Sequence, residues 1–315
     1  MNIAIQKNID ILMGTFNGEK YLNEQIASLQ AQTYEEWILY IRDDGSSDTT
    51  PEILHQVAKG DDRIIIVKDR LGNLGFNANY HFLLKTAKSP LVMFCDQDDQ
   101  WSKHKISRTL NCMNEQHAMK GNAPTLVHCE SAVVDDGMAV LANRFVGNRG
   151  TLRGLPSVLM ANPAQGATVM INRPLVDLLV RSPPRLPYDY KAALLAEATG
   201  YRIFLPEAML LYRQHDLNAI GASSHRDMNL PRPKRTFSGT LRLGIEAAPE
   251  IETTLLEVKD HWHPGVEQVL RSHMKFTEHG FSLKKLTWFL THRYGFYRRS
   301  DYLYSILHCL GFKVV

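Results

Sequence analysis

Five apolar residues, Leu91-Val92-Met93-Phe94-Cys95, run directly into Asp96-Gln97-Asp98-Asp99. A short apolar run bounded by polar residues has the length and composition of a buried strand. Three carboxylates within four positions at its end repel one another unless a cation or a basic ligand compensates them. Ligands of open α/β sheets sit beyond the carboxyl ends of the strands. A hard divalent cation with oxygen ligands, bridging to a phosphate, is the natural partner. The plainer reading is a solvated acidic turn that caps the next helix, and for an isolated D-x-D it would be the better one.

The preceding sequence repeats the pattern. Trp37-Ile38-Leu39-Tyr40-Ile41 is rich in β-branched and aromatic residues and predicts a strand. It leads into Arg42-Asp43-Asp44-Gly45-Ser46-Ser47-Asp48-Thr49-Thr50-Pro51, where Gly45 permits a sharp turn and Pro51 suits a first helical turn. An earlier strand, Ile9 to Met13, ends in Gly14-Thr15-Phe16-Asn17-Gly18, and Leu22, Ile26 and Leu29 then follow at helical spacing. Strand, polar turn and helix in alternation predict a mostly parallel sheet flanked by helices, with the polar turns converging on one crevice.

The ordered runs Gly14 to Glu19, Asp43 to Asp48, Asn73-Leu74-Gly75 and Asp96 to Trp101 resemble those of family 2 glycosyltransferases of GT-A fold. Asn162 to Ala167 and Leu211-Tyr212-Arg213-Gln214-His215 resemble later motifs of a bacterial, rhamnosyltransferase-like branch. The resemblance covers roughly residues 9 to 221. It implies a Rossmann-like catalytic domain over 1–225, with a nucleotide-sugar half at about 9–100 and an acceptor half at about 101–225. It further implies that Asp44 accepts from a pyrimidine N3, that Phe16 lies against the base, and that Thr15 or nearby backbone completes the contacts. Asn17, Glu19, Asn73 and Gly75 belong to the same donor site. The family often has a hydroxyl residue where Gly14 stands, which leaves that contact to backbone. Asp98 would bind Mn2+ or Mg2+ directly, and Asp96 would hold the ribose or an outer-shell water. His215 is a second metal candidate, because neutral imidazole is a competent ligand. Arg213 could neutralise phosphate with its bidentate fork. Packing and capping are the plainer readings for His215.

An inverting transferase also needs a base for the acceptor hydroxyl. Asp189, in Pro187-Tyr188-Asp189-Tyr190-Lys191 before a helix running to Ala198, is the first candidate, and Glu197, Asp135 and Asp136 are lesser ones. Its position matches the carboxylate of a histidine-aspartate-tryptophan-tryptophan-like motif, from which Tyr188 and Tyr190 depart. Asp189 could equally serve as a helix N-cap. Gly166 reads as a place where backbone approaches donor sugar or acceptor closely. The loop ending at Gly75 leads into a helix whose N-terminus could assist in holding anions. Trp101 packs the acidic loop in this reading.

Residues 226–315 differ in kind. Pro231 to Arg235 reads as an exposed basic linker, followed by helical patterns near 251–261, 266–276 and 283–294. From Val269 onward basic residues far outnumber acidic ones, with aromatic residues interleaved. Such an element can lie on an anionic membrane, pack on the catalytic domain or form a homodimer. The net charge of +3 over 315 residues demands no nucleic acid partner. The four cysteines have no C-x-x-C pairing. No signal peptide and no apolar stretch of about 18 residues are recognisable, so a cytoplasmic protein, peripheral on the inner face of the membrane, is expected. The resulting expectation is a metal-dependent inverting transferase using dTDP-rhamnose or a UDP-hexose. Its acceptor would be a cell-surface polysaccharide or a lipid-linked oligosaccharide. Two alternatives stand beside it: a nucleotidyltransferase, and a non-catalytic nucleotide- or sugar-binding protein on the same fold.

Overall fold

The protein is described by a computed structural model over residues 9–159, 162–215, 246–277 and 287. The first half runs β1 (Ile9–Thr15), α1 (Leu22–Gln30), β2 (Trp37–Asp43), α2 (Thr50–Gly60), β3 (Ile64–Ile66), α3 (Phe76–Thr86) and β4 (Leu91–Cys95). β1 lies between β2 and β4, parallel to both, and β3 extends the sheet beyond β2 in the same sense. Side chains alternate between faces as a pleated strand requires. Ile9, Ile11, Met13, Leu91, Met93 and Cys95 enter one core with α1, whereas Leu12, Val92 and Phe94 enter the other with Tyr80 and Leu83 of α3. A sheet covered on both faces explains why β4 is apolar throughout rather than alternating.

The second half runs β5 (Gln100–Trp101), α4 (Lys105–Lys120), β6 (Thr125–Val134), β7 (Val140–Ala142), α5 (Pro156–Leu159), β8 (Val169–Asn172), α6 (Arg173–Arg181), α7 (Tyr188–Thr199) and β9 (Tyr201–Arg213). The strand order is β3-β2-β1-β4-β8-β6-β9-β5, with β7 on β6. Here the sheet is mixed. β8 runs antiparallel to β4 and β6, and β5 antiparallel to β9, while β6 and β9 are parallel. The reversal of β8 places its beginning, not its end, beside the end of β4: Met93 pairs with Met170 and Leu91 with Asn172. The loop before β8 thereby joins the sheet edge that carries the acidic run.

α8 (Ala248–Leu256) and α9 (Val266–Thr277) follow. Where one helix was expected over 251–261, α8 starts earlier and stops at Leu256, and a separate 3-10 turn spans Lys259–His261. Trp262 Nε1 donates to the Leu255 carbonyl at 3.0 Å, satisfying one of the acceptors at the end of α8. Ile251, Leu255, Leu270 and Phe276 are buried in the core that also holds Leu175, Leu179, Leu194 and Leu195. Residues 246–277 are thus packed on the sheet domain. The expected linker at 231–235 and helix at 283–294 lie outside the described residues. Among the described residues no helix is long and apolar enough to cross a membrane.

Candidate active site

The turn after β1 is the hub of the sheet edge. Asn17 takes a left-handed conformation (φ 47°), which turns the chain back towards the β2 loop. Its N–H donates to Ser46 Oγ at 2.8 Å, and its side-chain oxygen accepts from Ser47 N at 2.9 Å. Glu19 Oε2 accepts from Thr49 N and Oγ1 (3.0 and 2.7 Å), serving amide groups at the start of α2 from a distant segment. Thr15, fully buried, donates to Asp43 Oδ1 at 2.9 Å. Phe16 is the apolar residue of the turn that projects outward, 49% exposed.

Asp44 is buried beneath this turn. Its Oδ1 accepts from Arg42 (2.6 Å) and Leu74 N (2.7 Å), and its Oδ2 from Gly75 N (2.8 Å). Asn73 Nδ2 donates to the Asp44 carbonyl at 2.8 Å. Gly75 sits at φ 76°, a left-handed value that suits glycine at the start of α3. Arg42 occupies the centre of the network. Its guanidinium grips Asp69 through Nε and Nη2 (2.7 and 3.1 Å) and also reaches Asp44, the Gly72 carbonyl and Asn79 Oδ1. All five donors of the fork are used. Asn79 also fills the space beside Gly14: a Cβ there would stand 2.9 Å from Asn79 Nδ2.

The acidic run separates into four environments. Asp96 Oδ1 accepts from Tyr80 at 3.0 Å, with the Tyr188 hydroxyl at 3.5 Å. Burial, reinforced by Asp98, pushes its carboxyl up to about 7. Gln97 turns away and docks its amide on Phe16, accepting from Phe16 N (2.9 Å) and donating to Phe16 O (3.0 Å). Asp98 points into the crevice, where His215 Nε2 lies 2.9 Å from its Oδ2. Asp99 is fully buried; Oδ1 accepts from Arg213 N (3.1 Å), Oδ2 has no protein partner, and burial drives its carboxyl well above the ordinary range. Below them Lys105, also fully buried, donates to the Ala167 carbonyl at 2.5 Å and sits over the Trp101 ring. Burial pushes its ammonium down to about 8.

Arg213 and His215 reach this edge on the far end of β9. Arg213 is buried and donates to the carbonyls of Asp98 and Asp136 at 3.0 Å each and to Glu24. The fork foreseen for phosphate is thus engaged with helix α1 and two loops of the protein. His215 stacks on Tyr21, with ring centroids 4.6 Å apart, and Tyr21 donates to Asp136.

On the acceptor side, Asp189 lies in the first turn of α7, one residue past Tyr188, while Pro187 holds the cap position. Burial pushes its carboxyl up to about 6, against the pull of the amides of Tyr190 and Gly166 and the Asn162 side chain. It lies close enough to Asp96 to raise that carboxyl further. The room left by Gly166 goes to Tyr188 and not to a ligand, since a Cβ there would stand 2.6 Å from Tyr188 Cζ. Glu197 is engaged elsewhere, accepting from Arg202 Nε and Gly154 N at 2.8 Å each. Asp135 closes the 135–139 turn, and Asp136 pairs with exposed Lys20. Glu130, at a register shift between β6 and β9, accepts from four backbone amides, Ser131, Phe145, Val146 and Gly147, at 2.7–3.0 Å. This fixes the stretch that follows β7.

Asp98 and His215 fit a divalent cation. Two ligands about 2.1 Å from one octahedral ion lie about 3.0 Å apart when adjacent, close to the 2.9 Å between Nε2 and Oδ2. Among the described residues no group of three His, Cys, Asp or Glu side chains is arranged to hold a metal. A site with few protein ligands, completed by phosphate and water, is the usual form for Mg2+. Gln97, Arg42, Lys105 and Tyr80 were not among the expected site residues. Arg42 did carry a signal, a lone cation directly before two aspartates. The other three carried none.

Residues 10–137 match the model of Glycosyl transferase family 2. A Campylobacter jejuni relative, GalNAc(5)-diNAcBac-PP-undecaprenol beta-1,3-glucosyltransferase, is 30% identical over 110 residues, which are 35% of this chain and 36% of that one. The matched stretch is likewise less than half the length of a Bacillus subtilis relative, TuaG, 32% identical over 34% of this chain and 42% of its own. The crystal structure of S. aureus TarS 1-349 with UDP-GlcNAc superposes with a TM-score of 0.55 at 17% identity, covering 85% of this chain and 70% of that one. At that identity the likeness is one of fold. The stretch that carries both the Phe16 turn and the acidic run, residues 10–137, is thus similar in sequence to family 2 glycosyltransferases, and the chain shares the GT-A fold of its structural neighbours.

Proposed function

We propose that the chain transfers a sugar, with inversion, from a nucleotide-sugar donor to a saccharide or lipid-linked saccharide hydroxyl. The observation that carries this reading is the meeting of Asp98 and His215, from strand ends far apart in sequence, within reach of Asp96 and Asp189. In this reading Phe16 offers its exposed ring to the base, and the remaining acceptor position of Asp44 Oδ2 meets a base N–H. Asp96 takes the ribose or a bound water. Asp98 and His215 would hold Mn2+ or Mg2+, and a divalent ion there would supply Lewis-acid stabilisation of the leaving group. Asp189 removes the proton of the acceptor hydroxyl as its oxygen bonds to the anomeric carbon and the bond to the nucleoside diphosphate breaks. A carboxyl raised to about 6 is stronger as a base than an ordinary one yet is ionised at neutral pH. A dTDP-rhamnose or UDP-hexose donor and a cell-surface polysaccharide acceptor fit the resemblance noted from sequence. Contact with an anionic membrane fits the basic, aromatic stretch from Val269 onward.

The test is release of nucleoside diphosphate from UDP-, dTDP- and GDP-sugars with saccharide acceptors, in Mn2+, Mg2+ or chelator. Metal-dependent release from one donor, lost in Asp189→Asn, is the expected result. If no donor binds by calorimetry with either metal, the transferase reading fails.

A further inference from the structure

Gln97 lies between the two aspartates that face the crevice, yet its side chain leaves the crevice and clamps the backbone of Phe16 from both sides (2.9 and 3.0 Å). The clamp is built in from the other strand as well. A Cβ at Gly18 would stand 2.7 Å from Gln97 Cδ, so the turn is open there for this amide. The turn itself is fastened on its far side, by Asn17 to Ser46 and by Gly18 N to Thr50 Oγ1 at 2.8 Å each. Phe16 thus has one rigid support from the β2 loop and one from the acidic loop. On the acidic side the carbonyl of Asp98 is held by Arg213 Nε at 3.0 Å and Asp99 by Arg213 N at 3.1 Å, so Gln97 hangs between the Asp98 side chain that faces the crevice and the backbone of Phe16.

We propose that Gln97 is a positioning residue that couples the cation site to the base platform. A cation drawn to Asp98 shifts the segment that carries the Gln97 amide, and through that amide the orientation of Phe16. The coupling needs no phosphate bridge and is reciprocal: base binding at Phe16 strengthens cation binding by the same factor. This inference rests on the proposed placement of the cation at Asp98 and of the base at Phe16.

The direct bridge from diphosphate to cation would mask such coupling, so the experiment uses nucleosides. Affinities of uridine, thymidine and guanosine are measured by ligand-observed NMR with and without saturating Mg2+, beside calorimetry of UDP, dTDP and GDP with Mn2+. In the wild type, Mg2+ is expected to tighten one nucleoside by about 5-fold, the low end of ordinary couplings. Gln97→Met keeps the bulk and removes both hydrogen bonds; it is expected to bring that factor to about 1, with metal-free nucleoside affinity changed less. Gly18→Ala displaces the amide from the opposite side and is expected to do the same. Phe16→Ala should instead weaken the nucleoside equally with and without Mg2+. The inference is overturned if the wild type shows no nucleoside coupling, or if both Gln97→Met and Gly18→Ala, folded by circular dichroism, retain it. If no diphosphate binds with Mn2+, the proposed function itself has failed.

Discussion

His215 Nε2 lies 2.9 Å from Asp98 Oδ2 across a separation of 117 positions. The contact closes the crevice between the end of β4 and the end of β9. If both atoms share a cation, Asp98→Ala and His215→Ala should each weaken Mn2+ binding by at least about 10-fold, the loss seen when even an outer partner of a metal site is removed. Calorimetric titration of Mn2+ checks this. Unchanged Mn2+ affinity in His215→Ala would reduce the pair to a hydrogen bond.

Asp189 should set the acid limb of the pH profile. Its carboxyl is raised to about 6 by burial and must be ionised to accept a proton, so kcat/KM is expected to rise with pH up to about 6 and then level. Asp189→Asn should lower kcat by about 10²- to 10⁴-fold. The stability effect has the opposite sign. Between the ordinary carboxyl value and about 6 the folded state binds the proton more tightly than the unfolded state, so folding stability falls as pH rises through that interval. Asp189→Asn should therefore melt higher than wild type at pH 7, as scanning calorimetry would show.

Arg42→Lys should be costly despite the retained charge. The lysine has three donors where Arg42 uses five, and it cannot hold the partly exposed Asp69 and also fully pair buried Asp44. Breaking a buried pair costs about 3–5 kcal/mol, and a loss near the low end of that range is expected in urea denaturation. A loss under about 1 kcal/mol, the worth of an exposed pair, would show that the network is dispensable.

Gly166→Ala should destabilise by about 1–3 kcal/mol through overpacking against the Tyr188 ring. In a Tyr188→Ala background the same change should cost far less. A double-mutant cycle by chemical denaturation measures the difference, and additive effects would mean that the strain lies elsewhere.

Much of the edge was legible because charged and glycine-rich turns interrupt apolar runs at regular intervals. β1, β2 and β4 each follow a run of the right length, and their shared direction follows from the helices between them. Asp98 was a candidate because it ends an apolar run in a cluster of carboxylates, and His215 and Asp189 were candidates through the resemblance of their motifs. The antiparallel β8 was not legible, since a four-residue strand, Val169–Asn172, apolar but for its last residue, carries no mark of direction. Nor were the partners of Arg213. A guanidinium suits phosphate and carbonyl oxygens alike, and only the folded positions of Glu24, Asp98 and Asp136 decide between them. Gly166 illustrates the same ambiguity: a glycine announces close approach without naming what approaches.

Glu130 seats the stretch after β7 entirely through backbone amides, at Phe145, Val146 and Gly147. Every residue except proline brings such an amide. Glu130's own grip therefore does not depend on which side chains stand there, while buried Val146 and the Phe145 ring against Tyr212 add the packing. Exposed positions of that stretch, such as Asn143 and Arg144, can drift over generations while its backbone keeps its place.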